Sequence, residues 1–174
     1  MLPVFNEFSR RLEGIHNEVH VLSGGQSPAG HMATIDFAAF DPLFWLHHCN
    51  VDRLAAMYQA AHPYVYLTPV PGVPTFARLV PSTVDGPLDN LQTQLYPFKH
   101  PNGLFWRSDD IKTAGSIWKY NYGYEEVPCS YATQSELALQ AFTKRRIKAL
   151  YGPVVSRWPF VREPTSKSLL LARG

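Results

Sequence analysis

At 174 residues the chain is long enough for one domain with a sizeable core and leaves little room for two. An apolar fraction of 45% and a charged fraction of 17% belong to a globular protein and exclude a disordered one. The formal net charge of +2 is small and scattered, so neither nucleic acid nor a membrane surface is indicated as a partner.

No apolar run reaches the roughly eighteen residues that a membrane span needs. The start, Met1-Leu-Pro-Val-Phe-Asn-Glu7, lacks the basic and apolar regions of a signal peptide, and no compartment can be assigned. Two cysteines, Cys49 and Cys129, are too few for a disulfide framework, and their pairing stays open. Fifteen prolines and a 13% aromatic content point to a core wrapped by long, proline-punctuated loops.

The first element is a helix from Phe5 to Leu22. Phe5, Phe8, Leu12, Ile15 and Val19 recur at three- and four-residue steps as one apolar stripe, and Gly24-Gly25 stops it. A loop with Pro28 and Gly30 follows. A second helix opens at Asp41-Pro42, an acceptor side chain followed by proline at the first helical position. It runs through Phe44, Trp45, His48, Val51, Leu54 and Met57 to about Ala61. Eight prolines between Pro63 and Pro101 predict irregular loop with short strands at most. Ser108-Asp109-Asp110 caps a short helix leading to Trp118, Tyr120 to Tyr124 alternates in the manner of an extended segment, and a last helix runs from Ser135 to about Tyr151, closed by Gly152-Pro153. Lys144-Arg145-Arg146 reads as a basic patch on that helix rather than a processing site.

Three of the seven histidines form a pattern. His16 and His20 lie four apart and therefore share one face of the first helix, the spacing that lets two imidazoles reach one ion. His48 sits on the second helix, and the glycine stop and loop between allow the two helices to pack antiparallel. Three neutral imidazoles suit copper, zinc, iron or nickel, and three protein ligands leave a coordination position open for chemistry. A zinc protease shares the helical His-x-x-x-His pair but needs a glutamate directly after the first histidine as general base. Asn17 stands there, and Glu18 faces elsewhere, so that reading fails.

The flanks are more specific. Asp41-Pro42-Leu43-Phe44-Trp45-Leu46-His47-His48-Cys49-Asn50-Val51-Asp52-Arg53 resembles the second copper-binding signature of tyrosinases, catechol oxidases and haemocyanins. Counting the signature onto this chain makes His48 the ligand. His47, about 100° away around the helix, is expected to point elsewhere as a packing residue. Leu12 to His20 resembles the family's first ligand pair on the second copper. Ser23-Gly24-Gly25-Gln26 and Gly30-His31-Met32 are similar to the connecting loop of fungal members, Tyr120-Asn121-Tyr122 to the tyrosine motif closing the catalytic domain, and Leu150 to Pro153 to the fungal continuation after it.

The resemblance, over residues 5 to 155, implies a mainly α fold: the second-copper helix pair of a four-helix bundle, with long Pro-rich loops. It divides the chain into a partial copper-binding domain, 1–155, and a tail or start of a further domain, 156–174. It implies copper held by His16, His20 and His48, and a catalytic pair, Glu13 and Asn17, that orients a water to take a phenol proton. Asp52 and Arg53 are expected to be structural, with Asp52 one turn from His48 and able to steer an imidazole or a neighbouring helix.

The implied activity is oxidation of monophenols and o-diphenols to o-quinones with dioxygen. The family uses two coppers, and the first takes three histidines from a helix pair that has no counterpart here. His31, His47, His62 and His100 have no helical i,i+4 partner and make no second triad. The alternatives are a truncated, non-catalytic metal-binding remnant or fragment holding a single copper site, and a haemocyanin-like oxygen carrier; the partner such a site calls for is a chain supplying the missing copper-binding helices. Glu13-Gly14, Asn17 and Gly24-Gly25-Gln26 favour the enzymes over the carrier. The isolated chain is expected to expose apolar surface.

Overall fold

The structure is a computed structural model that describes residues 5–25, 28–68 and 91–155, the last three in backbone only. The described residues are mainly helical. Helix α1 spans Phe5–Gly24, α2 spans Pro42–Ala61 and α3 spans Glu136–Val155. A two-stranded antiparallel hairpin, β1 (Gln94–Lys99) and β2 (Phe105–Arg107), and five short 3₁₀ segments fill the connections. No helix among these residues is long and apolar enough to cross a membrane.

Each helix end follows from its local sequence. Gly25 adopts φ +72° and returns its N–H to the Val21 carbonyl at 3.0 Å, the left-handed stop that a side chain would oppose. The Asp41 carboxylate accepts from the Leu43 N–H at 2.9 Å, and Pro42 fills the first helical position of α2.

Three expectations need correction. Helix α3 does not close at Gly152-Pro153 but continues to Val155, because Gly152 keeps a negative φ and forms no left-handed cap. The helix expected from Ser108 to Trp118 is two 3₁₀ segments, Ser108–Ile111 and Ala114–Tyr120. Tyr120 to Tyr124 is not one extended run: Asn121 turns left-handed at φ 58°, a conformation asparagine tolerates, and only Tyr124 pairs, with Val127. Lys144 to Arg146 lies on α3, where Arg146 pairs with Glu125 at 2.8 Å. Residues 69–90, which hold most of the proline-rich segment, and the tail 156–174 lie outside the described residues.

The core gathers at one end of the molecule. Ala56, Met57 and Ala60 from the C-terminal half of α2 pack with Ala114, Ile117, Val127 and Leu139, flanked by Trp118, Tyr124 and Tyr131. Arg53 crosses from α2 to grip Glu126, which is 2% exposed, through two bonds of 2.9 and 2.6 Å. Thr143 of α3, fully buried, donates to the Glu126 carbonyl at 2.7 Å. Arg53 therefore ties α2 to the 124–127 turn, and Thr143 ties that turn to α3. Asp52 serves the same purpose by a different route, accepting the Tyr124 hydroxyl at 2.5 Å; it steers a neighbouring turn rather than an imidazole.

By contrast, α1 has no buried residue. It packs on α2 through Phe8 stacked on Tyr58, ring centroids 3.9 Å apart, near one end, and through its histidines near the other. The first part of α1 meets the last part of α2, so the pair is antiparallel, as expected. Ile15, Leu22, Ile35, Phe40, Trp45 and Leu46 are more than half exposed around this end.

The hydrogen bonds from Arg53 hold the Glu126 carboxyl below its ordinary value of 4.5. The folded chain therefore binds that proton less readily than the unfolded chain. The stabilisation is complete above pH 4.5 and disappears as pH falls through the lower folded value. Glu126→Gln is expected to cost about 3 kcal/mol in urea unfolding at pH 7, because it leaves a largely buried guanidinium without its partner. It should also flatten the acid limb of the stability curve; an unchanged limb would remove the pair from this role.

Candidate metal centre

Four imidazoles meet where α1 crosses the first turns of α2. Ring centroids of His16 lie 4.6 Å from His20, 5.1 Å from His47 and 4.9 Å from His48. Ligand nitrogens of His16, His20 and His47 fall within 4.8 Å of one another, and His48 Nε2 is 3.0 Å from His16 Nε2. The expectation that His47 faces away is thus overturned. Neighbours on a helix do diverge by about 100°, but α1 lies across both directions, so either ring reaches it.

Hydrogen-bond partners assign the tautomers. A carbonyl oxygen can only accept, so the nitrogen facing it carries the proton. His20 Nδ1–H donates to the Met32 carbonyl at 2.7 Å, and His48 Nδ1–H donates to the Phe44 carbonyl at 2.7 Å. His16 Nδ1 faces Asn17 Oδ1 at 3.0 Å. In His20 and His48 the lone pair is left on Nε2, and His16 Nε2 lies 3.0 Å from His48 Nε2, where it donates a hydrogen bond to that lone pair whenever it carries the His16 proton. His47 is the reverse: its Nε2–H donates to the His16 carbonyl at 3.2 Å. Burial pushes the His47 and His48 imidazoles below their ordinary value of 6.5, which keeps both neutral.

The loop contributes the partner that fixes His20. Gly30 N–H donates to the Gly24 carbonyl at 2.6 Å, and residues 31–33 lie directly against the end of α1. A Cβ on Gly24 would collide with the Ala33 backbone. Glycine at 24 is therefore what lets the Met32 carbonyl reach His20. Phe44 lies beside the His48 ring, centroids 3.9 Å apart. The Met32 and Phe44 carbonyls were not legible as functional groups, because their identity comes from backbone placement. The His47-His48 doublet was a visible signal for a fourth ring.

The expected catalytic pair is placed less distinctively. Glu13 is exposed, yet close enough that its charge favours protonation of His48, opposing burial. Asn17 is exposed, with its side-chain oxygen on His16. Cys49 and Cys129 are both free thiols, the former in the exposed part of α2 beside the histidines.

The donor set fits a borderline or soft transition ion: imidazoles whose Nδ1 atoms are turned to oxygens, with the Nε2 atoms of His16 and His48 3.0 Å apart. Gly24→Ala is expected to weaken copper binding by about tenfold through the lost Met32 anchor, measured by competition titration. Gly14→Ala, where an added Cβ meets nothing within 4 Å, is the control and should leave affinity unchanged.

The chain is similar to known proteins in sequence and in fold. Residues 2–61 match the model of the common central domain of tyrosinase. A tyrosinase from Podospora anserina is 38% identical over 143 residues, 81% of this chain and 23% of its own length. Hemocyanin 1 of Megathura crenulata is 45% identical, but over 60 residues only, 34% of this chain and 2% of its own. A crystal structure of mushroom tyrosinase superposes with a TM-score of 0.62 at 30% identity, covering 81% of this chain and 35% of that one. The chain thus spans less than a quarter of the length of the curated fungal relative. The chain belongs to the tyrosinase family.

Proposed function

We propose that this chain provides the second copper site of a tyrosinase-type phenol oxidase, with His16, His20 and His48 as the ligands. The observation that carries the reading is a shared ring orientation. In each of these rings Nδ1 is turned to an oxygen, which aims Nε2 at the crossing of α1 and α2. His47 presents the opposite nitrogen to a backbone carbonyl.

When bound, a copper pair would supply the electron transfer to dioxygen. A monophenol and one dioxygen give an o-quinone and one water; two o-diphenols and one dioxygen give two o-quinones and two waters. The chain's own residues would bind and orient. Asn17 holds the His16 ring through Nδ1, and the exposed carboxylate of Glu13 is available to take the phenol proton, with a water between Glu13 and Asn17 as relay. The proton leaves the phenol oxygen for that water or for the carboxylate, and makes the phenolate the better nucleophile and electron donor.

One triad serves one copper, and the histidines His31, His62 and His100 lie outside the cluster among the described residues. Turnover therefore needs a second helix pair bearing three more histidines. The exposed apolar residues around the cluster, among them Ile15, Trp45 and Leu46, are the surface it would cover.

Copper titration of the 174-residue chain is expected to reach one ion per chain, and His48→Ala to abolish stoichiometric binding. Two ions per chain would show that a second triad exists. For the proton relay, Asn17→Ala in a complete two-copper relative should reduce monophenol oxidation at least tenfold while sparing o-diphenol oxidation. An equal loss of both would defeat that role.

A further inference from the structure

We infer that His47 is a positioning residue: it clamps the turn of α1 that carries His16 and sets the direction of the His16 imidazole without itself holding the ion. The inference rests on the reading of His16, His20 and His48 as ligands.

Three observations combine. The His47 Nε2–H reaches across the helix crossing to the His16 backbone carbonyl at 3.2 Å, so it holds the main chain at that residue. Its ring lies nearly parallel to the His16 ring, 14° apart with centroids at 5.1 Å, so it also limits the plane in which that imidazole can rotate. It is buried, at 9% exposure, whereas His16, His20 and His48 are only half-buried. A ring sealed in the seam between two helices is placed to hold them, and the three more open rings are placed to meet a ligand.

The need for such a clamp follows from the packing. Helix α1 buries no residue, so its register against α2 is not set by a hydrophobic core at this end. The carbonyl of His16 is already committed to its own helix, and a second donor on it costs no desolvation. A slide of α1 by a fraction of an ångström would separate His16 Nε2 from His48 Nε2, and the His47 bond opposes that slide.

The test uses the full 174-residue chain with copper(II) as the only probe. Affinity is read by competition titration, and the number of coordinated nitrogens by electron paramagnetic resonance. His47→Ala is expected to bind copper about tenfold to a hundredfold more weakly while keeping three nitrogens. His47→Gln, which carries an amide N–H to about the same reach, should return to within about threefold of the parent. His47→Phe, which keeps a ring without a donor, should resemble His47→Ala. Circular dichroism checks folding, and should the alanine variant fail to fold, the comparison of Gln with Phe carries the result. Equal affinities for Gln and Phe, or an alanine variant that binds like the parent, would overturn the inference and leave the triad intact. A drop to two nitrogens in His47→Ala, with three kept in His48→Ala, would instead make His47 the ligand and overturn the triad reading itself.

Discussion

His16 Nε2 and His48 Nε2 face each other at 3.0 Å, a contact that one shared proton or one bound cation makes attractive. Much of the local structure serves to hold them there. Phe44 and Met32 supply carbonyls that orient two of the rings, and Asn17 supplies its amide oxygen to the third. The close approach permitted by Gly24 brings the Met32 carbonyl within range. A cation bound there would replace one ring-to-ring hydrogen bond with coordination by both nitrogens. Metal affinity and local stability are therefore two readings of the same contacts.

The cluster rests on α2, which divides its work along its length. Its C-terminal half enters the apolar core with Met57 and Ala60, and Arg53 and Asp52 fasten its middle to the turn around Glu126 and Tyr124. Its first turns hold His47 and His48 with little apolar packing around them. Because the helix is continuous, the end that buries apolar surface gives the end that bears histidines a fixed axis. Helix α1 is held instead by Phe5 and Phe8 against Tyr58 and Tyr66, by two hydrogen bonds between the Asn6 side chain and the Thr68 backbone, and by the loop at Gly24.

What was legible in the sequence was whatever depends on spacing. The four-residue step from His16 to His20, the Asp41-Pro42 start of α2 and the glycine stop after α1 each have one local physical cause, and each appears where that cause puts it. The family signature around His48 is likewise local. What was not legible depends on how elements cross. A helical wheel separates His47 from His48 by angle, but the angle at which α1 passes over them decides that both rings meet it. The partners of Asp52 and Arg53 lie more than seventy residues further along, beyond the reach of any local pattern. The break in the 120–124 segment rests on a single left-handed asparagine, and alternating aromatics conceal it.

The absence of any buried residue on α1 has a consequence for motion. Backbone amides exchange with solvent by local opening, and the cost of opening a segment is roughly the packing it gives up. The core-facing half of α2 together with α3 forms one cooperative unit with a high opening cost. Helix α1 forms another, whose opening gives up the ring contacts of Phe5 and Phe8, the Asn6–Thr68 hydrogen bonds and a cluster of imidazoles, but no buried side chain. In the metal-free chain, α1 would swing out and return many times for each global unfolding event. Capture of an ion would slow that excursion more than any other in the molecule, so the rate at which one helix breathes reports the filling of the site.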